Sequence, residues 1–155
     1  LPNISWQHLQ KNFRFAADRM TSELRQATVV SVPNQNELGD ILTFDYIKTP
    51  APSETRSRVS YERKKNGDRY YVERAETPLI WNAGAGTWDV SPSPMWTRTP
   101  VTEEITTWAA VHFVHRGARV VTILVAQYQA GGMIQTTSYT LQTAIRTLPL
   151  YAGGT

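Results

Sequence analysis

The sequence predicts an α+β fold in which one long N-terminal helix packs on an antiparallel β-sheet with β-hairpins. Apolar residues recur every three or four positions near the start of the chain, a spacing typical of a helix with one buried face. Farther along, short runs of β-branched and aromatic residues alternate with turn formers, which indicates antiparallel strands. Because a helix with one apolar stripe can bury it against one face of such a sheet, the two patterns predict a two-layer domain.

The bulk composition fits one globular domain over residues 1–155. The chain is 41% hydrophobic and 19% charged, and it is long enough to bury a core without disulfides or a structural metal. No apolar run approaches the roughly 20 residues that cross a bilayer. The net charge of +3 is too small to indicate an acidic partner by itself. The absence of cysteine excludes a disulfide framework, a thiol nucleophile and cysteine-based zinc sites.

The helix is predicted over residues 5–31. Opposite charges at i,i+4 spacing, Arg14 with Asp18 and Arg19 with Glu23, mark its exposed face. No strong start signal precedes it, so we expect the native helix to continue upstream into a segment absent from this sequence. The apolar stripe supplies the residues predicted to pack on the sheet: Trp6, Leu9, Phe13, Met20 and Leu24.

The rest of the chain is predicted to be mainly β. The Asn66-Gly67 pair is a strong hairpin signal, because both residue types tolerate positive φ angles. Residues 76–100 hold many Pro and Gly residues and three tryptophans, which favours an irregular segment. The predicted strands are residues 41–47, the hairpin strands 58–63 and 69–74, a second hairpin within 105–129, and a last strand over 133–148.

The sequence gives little evidence for a catalytic site. His112 and His115 lie three positions apart, and in a strand such side chains point to opposite faces, which argues against a shared metal. No nucleophile motif, catalytic triad or phosphate-binding loop is present. We therefore expect no catalytic residue, no metal site, no cofactor and no enzymatic activity.

Two surface features remain. Trp81, Trp88 and Trp96 are candidates for binding a protein partner, although each ring can equally fill a small core beneath its own segment. The second feature is a run of cations interleaved with tyrosines, which suits single-stranded nucleic acid or, alternatively, protects the edges of a hairpin from aggregation. Its candidate contact residues are Arg63, Lys64, Lys65 and Arg69.

Four segments in order resemble the soluble part of a type IV pilin-like protein. The closest likeness is to a J-type minor pseudopilin of type II secretion or a W-type minor pilin of type IV pili and competence systems. Arg25, Ala27, Tyr61 and Arg74 occupy places of that family's pattern, whereas residues 145–149 depart from its usual Leu-Arg-Asn ending. The segments are SELRQAT, VSYERKKNGDRYYVERAET, VHFVHRGARVVTILVAQY and TSYTLQTAIRTLP.

The resemblance implies a structural subunit that assembles with other minor and major pilins to initiate or tip a fibre. It further implies an upstream half-helix of about 25 mostly apolar residues, cleaved by a prepilin peptidase and then anchored in the inner membrane. The head would lie in the cell envelope outside the cytoplasm. Two alternatives stay open: a cone-type α+β domain that binds a small ligand or acts as an enzyme, and a tip pilin that binds DNA during uptake.

Overall fold

A computed structural model describes residues 6–67, 69–102, 108–117, 119–130 and 133–144. Within these ranges the side chains of Trp6, His8, Leu9 and residues 108–111, 119–130 and 133–144 are not described. The described residues form one helix and ten strands. The elements are α1 (Trp6–Leu24), β1 (Ala27–Val32), β2 (Leu38–Gly39), β3 (Ile41–Thr49), β4 (Thr55–Asn66), β5 (Arg69–Asn82), β6 (Thr87–Val90), β7 (Thr97–Pro100), β8 (Trp108–Arg116), β9 (Arg119–Ala130) and β10 (Met133–Ala144).

The strands form two antiparallel sheets. In the first, the order is β1-β3-β4-β5-β6, and β7 also pairs with β5. In the second, the order is β10-β9-β8-β2. Both sheets are built mainly from hairpins between consecutive strands, since β4 pairs with β5, β8 with β9 and β9 with β10. The sheet structure curls into a half-barrel.

A single cluster of buried apolar side chains joins these elements. Alternate residues of β3 and β4, such as Phe44 and Tyr61, point inward, as the two-residue period of a strand requires. Phe113 of β8 brings the second sheet into the same cluster. The helix contributes Ala16, Ala17, Met20 and Leu24. The core is therefore shared by two sheets and one helix.

The predicted fold class is wrong. The structure does not contain a pilin-like α+β fold with a long helix packed on one sheet. The described residues are mostly antiparallel strand, with one short helix. The helix has 19 residues and ends at Leu24, whereas the sequence pattern predicted residues 5–31. Residues 27–32 form β1 instead, where Thr28, Val29, Val30 and Val32 favour extended backbone and pair with β3.

Two other predictions concern the β region. The hairpin around Asn66-Gly67 is confirmed as β4 and β5, and Gly67 has the positive φ of 63° that its turn requires. The irregular segment predicted over 76–100 is wrong, because β5 continues to Asn82 and β6 and β7 follow. The second hairpin and the last strand are confirmed by β8, β9 and β10, although residues 145–148 lie outside the described ranges.

Within the residues that the structure describes, no helix combines the length and the apolar character that a membrane span requires.

Candidate functional site

Two clusters stand out, and the first lies where helix α1 ends. Arg74 of β5 points toward Glu23 in the last turn of the helix, with Nη2 2.7 Å from Oε2 and Nε 3.2 Å from Oε1 of that carboxylate. The Tyr61 hydroxyl donates to Glu23 Oε1. Tyr61 and Arg74 face each other directly across β4 and β5, which places both side chains on the inner face of the sheet.

The same guanidinium also contacts β3 and its own strand. Arg74 Nη1 lies 2.7 Å from Glu76 Oε1, and Nη2 donates to the Tyr46 hydroxyl at 3.2 Å. Lys48 Nζ then contacts the second oxygen of Glu76 at 2.6 Å. We call six residues the buried charge network, after the buried Arg74 at its centre, although Lys48 at its rim is 54% exposed. They are Glu23, Tyr46, Lys48, Tyr61, Arg74 and Glu76.

Burial and neighbouring charges shift the pKa values of Tyr61, Arg74 and Glu76. Burial raises the pKa of the Tyr61 hydroxyl, and the nearby Glu23 carboxylate raises it further. Burial alone would lower the pKa of Arg74, but hydrogen bonds to Glu23 and Glu76 outweigh it and raise that pKa. Burial raises the pKa of Glu76, yet hydrogen bonds from Lys48, Arg74 and Ser57 bring it down to about 2.

These protonation states decide what the network can do. A general acid or base must exchange a proton near neutral pH. Glu76 borders an open hollow of about 490 Å³, so it is the described residue that best fits the ligand-binding cone alternative. Its carboxylate, however, is ionised and already accepts from three donors. The buried charge network links the last turn of α1 to β3, β4 and β5.

The second cluster, which we call the tryptophan hairpin, comprises residues 79–90 at the end of β5 and in β6. Trp81 lies directly opposite Trp88, and their ring centroids are 5.7 Å apart with the planes inclined by 54°. The intervening turn uses a positive φ of 69° at Gly86, and Gly86 N donates to Asn82 O at 2.7 Å. Trp81 is 51% exposed. The pair therefore presents the exposed Trp81 ring to solvent beside a half-buried Trp88.

Charged and polar groups surround this aromatic pair. The Arg56 guanidinium lies 5.1 Å from the Trp88 ring centroid and also pairs with Glu54 at 2.6 Å. Asp89 accepts hydrogen bonds from Asn82 and Thr87, both at 3.0 Å, which stiffens the turn. Ile80, 56% exposed, and Trp81 also border a surface hollow of about 400 Å³. An apolar centre with a polar rim is the composition of a protein-binding patch.

Trp96, the third predicted tryptophan, is half-buried. No ring contact joins it to Trp81 or Trp88 among the residues that the structure describes. The structure thus brings together two of the three tryptophans named from the sequence.

The predicted nucleic-acid residues lie at the tip of the β4–β5 hairpin. Arg63 and Lys65 both stack over the Tyr70 ring, at 5.0 Å and 5.5 Å from its centroid, and Lys64 pairs with Glu62 at 3.2 Å. β3 pairs with β4 only as far as Glu62, so the strands extend beyond their neighbour at this tip. Cations at such free edges block pairing with other chains, which matches the protective alternative.

The remaining predicted residues fall in the core or outside the described side chains. Phe13, Met20 and Leu24 are buried, whereas the side chains of Trp6 and Leu9 are not described. His115 Nδ1 lies 3.1 Å from Pro33 O. No group of three potential metal ligands occurs within the described ranges.

Sequence reasoning did not predict the buried charge network. Tyr61 and Arg74 were singled out only as family positions, and Glu23 only as an exposed partner of Arg19. Glu23 and Arg74 are 51 positions apart in sequence, and no local pattern connects them. The one available signal was a charged residue at an inward-facing position of a strand, since Arg74 lies two positions from the buried Val72.

Comparisons with known proteins add no relative: no family model, curated protein or solved structure matches this chain.

Proposed function

We propose that this chain is a structural subunit of a type IV pilus or secretion pseudopilus, and that the tryptophan hairpin is the surface on which a neighbouring subunit binds. The Trp81–Trp88 pair, in which Trp81 is 51% exposed, is the observation that carries this proposal. Its partners are other minor and major pilins or pseudopilins. The head lies outside the cytoplasm. The resemblance to pilins implies a further helix that anchors the subunit in the inner membrane.

Exposed tryptophan is unusual enough to need a reason. Tryptophan and arginine are the residues most enriched among those that dominate binding energy at protein interfaces. Here cross-strand pairing fixes Trp81 and Trp88, and Arg56 stacks on Trp88. Because the rings are held in place before binding, association loses little side-chain entropy. A rigid apolar centre of this kind supports a binding role.

The family positions give a second line of support. Of the four positions that resemble the pilin pattern, Ala27, Tyr61 and Arg74 are buried and Arg25 is exposed. Tyr61 and Arg74 meet Glu23 at the end of α1. A subunit whose helix continues into a fibre needs that helix held at a fixed angle to its head. The buried charge network supplies such a restraint.

A catalytic role has less support within the described residues. The titratable groups that burial and charge shift most, Tyr61, Arg74 and Glu76, are engaged with one another. Each is held away from the neutral pH range in which proton transfer is efficient. Structural assembly is therefore the function that the geometry supports best.

The proposal is tested in the organism that carries the gene. The variant Trp81→Ala/Trp88→Ala removes both rings, and Met95→Ala is the matched control because Met95 is 83% exposed and also apolar. Truncating an interface anchor weakens binding by about 2 kcal/mol or more, or about thirtyfold. We expect the double variant to lose the chain from the sheared fibre fraction, while Met95→Ala assembles like the wild type.

Two controls make the result interpretable. The amount of protein per cell and the melting temperature of the purified head must match the wild type for both variants. Normal assembly of the double variant would refute the role of the hairpin. Absence of the wild-type chain from every fibre fraction, or a start codon directly before Leu1, would refute the structural-subunit proposal itself.

A further inference from the structure

The tryptophan hairpin is a two-stranded ribbon, and its aromatic pair lies on one of its two faces. Neighbouring residues of a strand point to opposite faces. Trp81 and Trp88 lie opposite each other on one face, so the next cross-strand pair, Ile80 and Asp89, lies on the other. Ile80 is 56% exposed, and Asp89 is exposed as well. The second face of the hairpin is therefore also open to a neighbouring molecule.

Ile80 and Asp89 both line the surface hollow of about 400 Å³, which we call the Asp89 hollow. Its lining residues lie within 80–83 and 89–92, where the structure describes backbone and side chains alike. Ile80 and Val90 give it apolar walls. Asp89 carries the one formal charge among the lining residues. An apolar hollow with a single carboxylate suits a cation that is carried on an apolar stem.

Hydrogen bonds hold the Asp89 carboxylate in place without neutralising it. Asn82 Nδ2 donates to Oδ2 and the Thr87 hydroxyl donates to Oδ1, both at 3.0 Å. Both donors are neutral, and no residue in the described part of the chain forms an ion pair with Asp89. A carboxylate has about four acceptor positions, so about two remain, one on each oxygen. Two parallel N–H donors of a guanidinium match that arrangement.

Arg58 is a described cation near enough to interact with the charge of Asp89, but it is engaged elsewhere. Its Nε and Nη2 donate to Asp45 Oδ1 and Oδ2 at 2.7 Å and 3.2 Å. The hydrogen bond to Asp45 is the main cause of the raised pKa of Arg58, burial opposes it, and the charge of Asp89 contributes less. Asp89 therefore still has room for a cation in direct contact.

We propose that the Asp89 hollow receives an arginine side chain of the neighbouring subunit that binds the tryptophan hairpin. This inference rests on the function proposed above and adds the chemistry of one contact. The guanidinium pairs with both oxygens of Asp89, and its methylene stem packs on Ile80 and Val90. Arginine suits the hollow better than lysine, because its planar fork presents two parallel donors to a carboxylate.

A minimal probe tests the hollow without any partner subunit. The purified chain is titrated with N-acetyl-arginine amide, and its backbone amide signals are followed by NMR. We expect shifts confined to residues 80–83 and 89–92, with a dissociation constant of about 1–10 mM for so small a ligand. N-acetyl-citrulline amide is the matched probe, because it has a similar shape without the charge. Equal shifts with both probes, or none at these residues with the arginine probe at about 50 mM, would overturn the proposal.

Two variants test the role of the carboxylate. Asp89→Asn should weaken binding of the arginine probe about tenfold or more, because it removes the charge from the hydrogen bonds. Asp40→Asn is the matched control, since Asp40 is an exposed carboxylate outside the hollow, and it should bind like the wild type. Ile80→Lys keeps the hydrogen bonds of Asp89 and places a cation directly opposite it, so it should also weaken binding about tenfold. Wild-type affinity in Ile80→Lys would overturn the proposal.

The fibre assay separates this inference from the function on which it rests. Asp89→Asn with the wild-type melting temperature should reduce the chain in the sheared fibre fraction about tenfold. If Trp81→Ala/Trp88→Ala is lost from the fibre but Asp89→Asn assembles like the wild type, the arginine contact is wrong and the role of the hairpin stands. If both variants assemble normally, the hairpin binds no neighbour and both proposals fail.

Discussion

Replacing Arg74 by methionine tests whether the buried charge network holds the helix to the sheet. The Arg74 side chain is only 4% exposed and donates to three groups on three different elements: Glu23, Glu76 and the Tyr46 hydroxyl. Methionine has a similar unbranched apolar stem, so the change removes the charge and its hydrogen bonds while leaving much of the packing.

The expected loss follows from what remains after the substitution. Removing one partner of a buried ion pair costs about 3–5 kcal/mol, because it leaves an uncompensated charge. Glu76 keeps Lys48, and Glu23 keeps the Tyr61 hydroxyl and Arg19 at 3.6 Å. Because these contacts remain, we expect the free energy of unfolding to fall by about 3 kcal/mol, the lower end of that range. A domain of this size has only about 5–15 kcal/mol of stability in total.

Equilibrium urea unfolding measures this loss. Arg98→Met is the matched control, because Arg98 pairs with Glu73 at 3.1 Å but is 53% exposed, and such pairs contribute at most about 1 kcal/mol. In thermal unfolding, Arg74→Met should lower the melting temperature by about 6–12 °C. A double-mutant cycle with Glu23→Gln should give a coupling energy above about 1.5 kcal/mol. If Arg74→Met costs no more than Arg98→Met, the network does not hold the helix.

Three further outcomes follow from the same structure. Hydrogen bonds lower the pKa of Glu76 from 4.5 to about 2, so its contribution to stability is complete above pH 4.5 and is lost as the pH falls toward 2. In a profile of unfolding free energy against pH, Glu76→Gln should therefore reduce the fall in stability between pH 4.5 and 2. Gly67→Ala should lower the free energy of unfolding, measured by urea denaturation, by about 1 kcal/mol, because the φ of Gly67 is +63°. Gly84→Ala should change it by under about 0.5 kcal/mol. Phe13→Ala should cost about 3–5 kcal/mol, and Phe15→Ala, at a 61% exposed site on the same helix, under about 0.5 kcal/mol; equal melting temperatures for the two variants would contradict the assigned inner face.

Local patterns predicted the hairpins because their signals lie within a few residues. Asn66-Gly67 needs only its own backbone preferences to form a turn. The end of the helix was misplaced because Ala27 continues the apolar spacing of α1, yet it is the first residue of β1 and is buried there. Pairing of Val30 with Phe44 on β3 decides the conformation of this segment, and that contact is invisible to a short sequence window.

The sequence-based prediction also failed at the tryptophan hairpin, where strands were mistaken for an irregular segment. Its Pro and Gly content predicted an irregular segment, but Gly86 supplies the turn and Trp81 meets Trp88 across the strands. Turn formers and cross-strand aromatic pairs are hairpin signals when the register is known. Register depends on pairing between strands, so it could not be read from composition alone.

Strand β5 connects the two clusters that matter most for the proposed function. Arg74 and Glu76 point inward to the buried charge network, and Trp81 lies seven positions beyond Arg74 on the same continuous strand. At about 3.3 Å per residue, Trp81 lies about 23 Å from Arg74 along the strand. Pairing along β4 and β7 holds the intervening strand. Damage to the network should therefore change how the hairpin is oriented relative to the helix, without altering the aromatic surface that binds a neighbour.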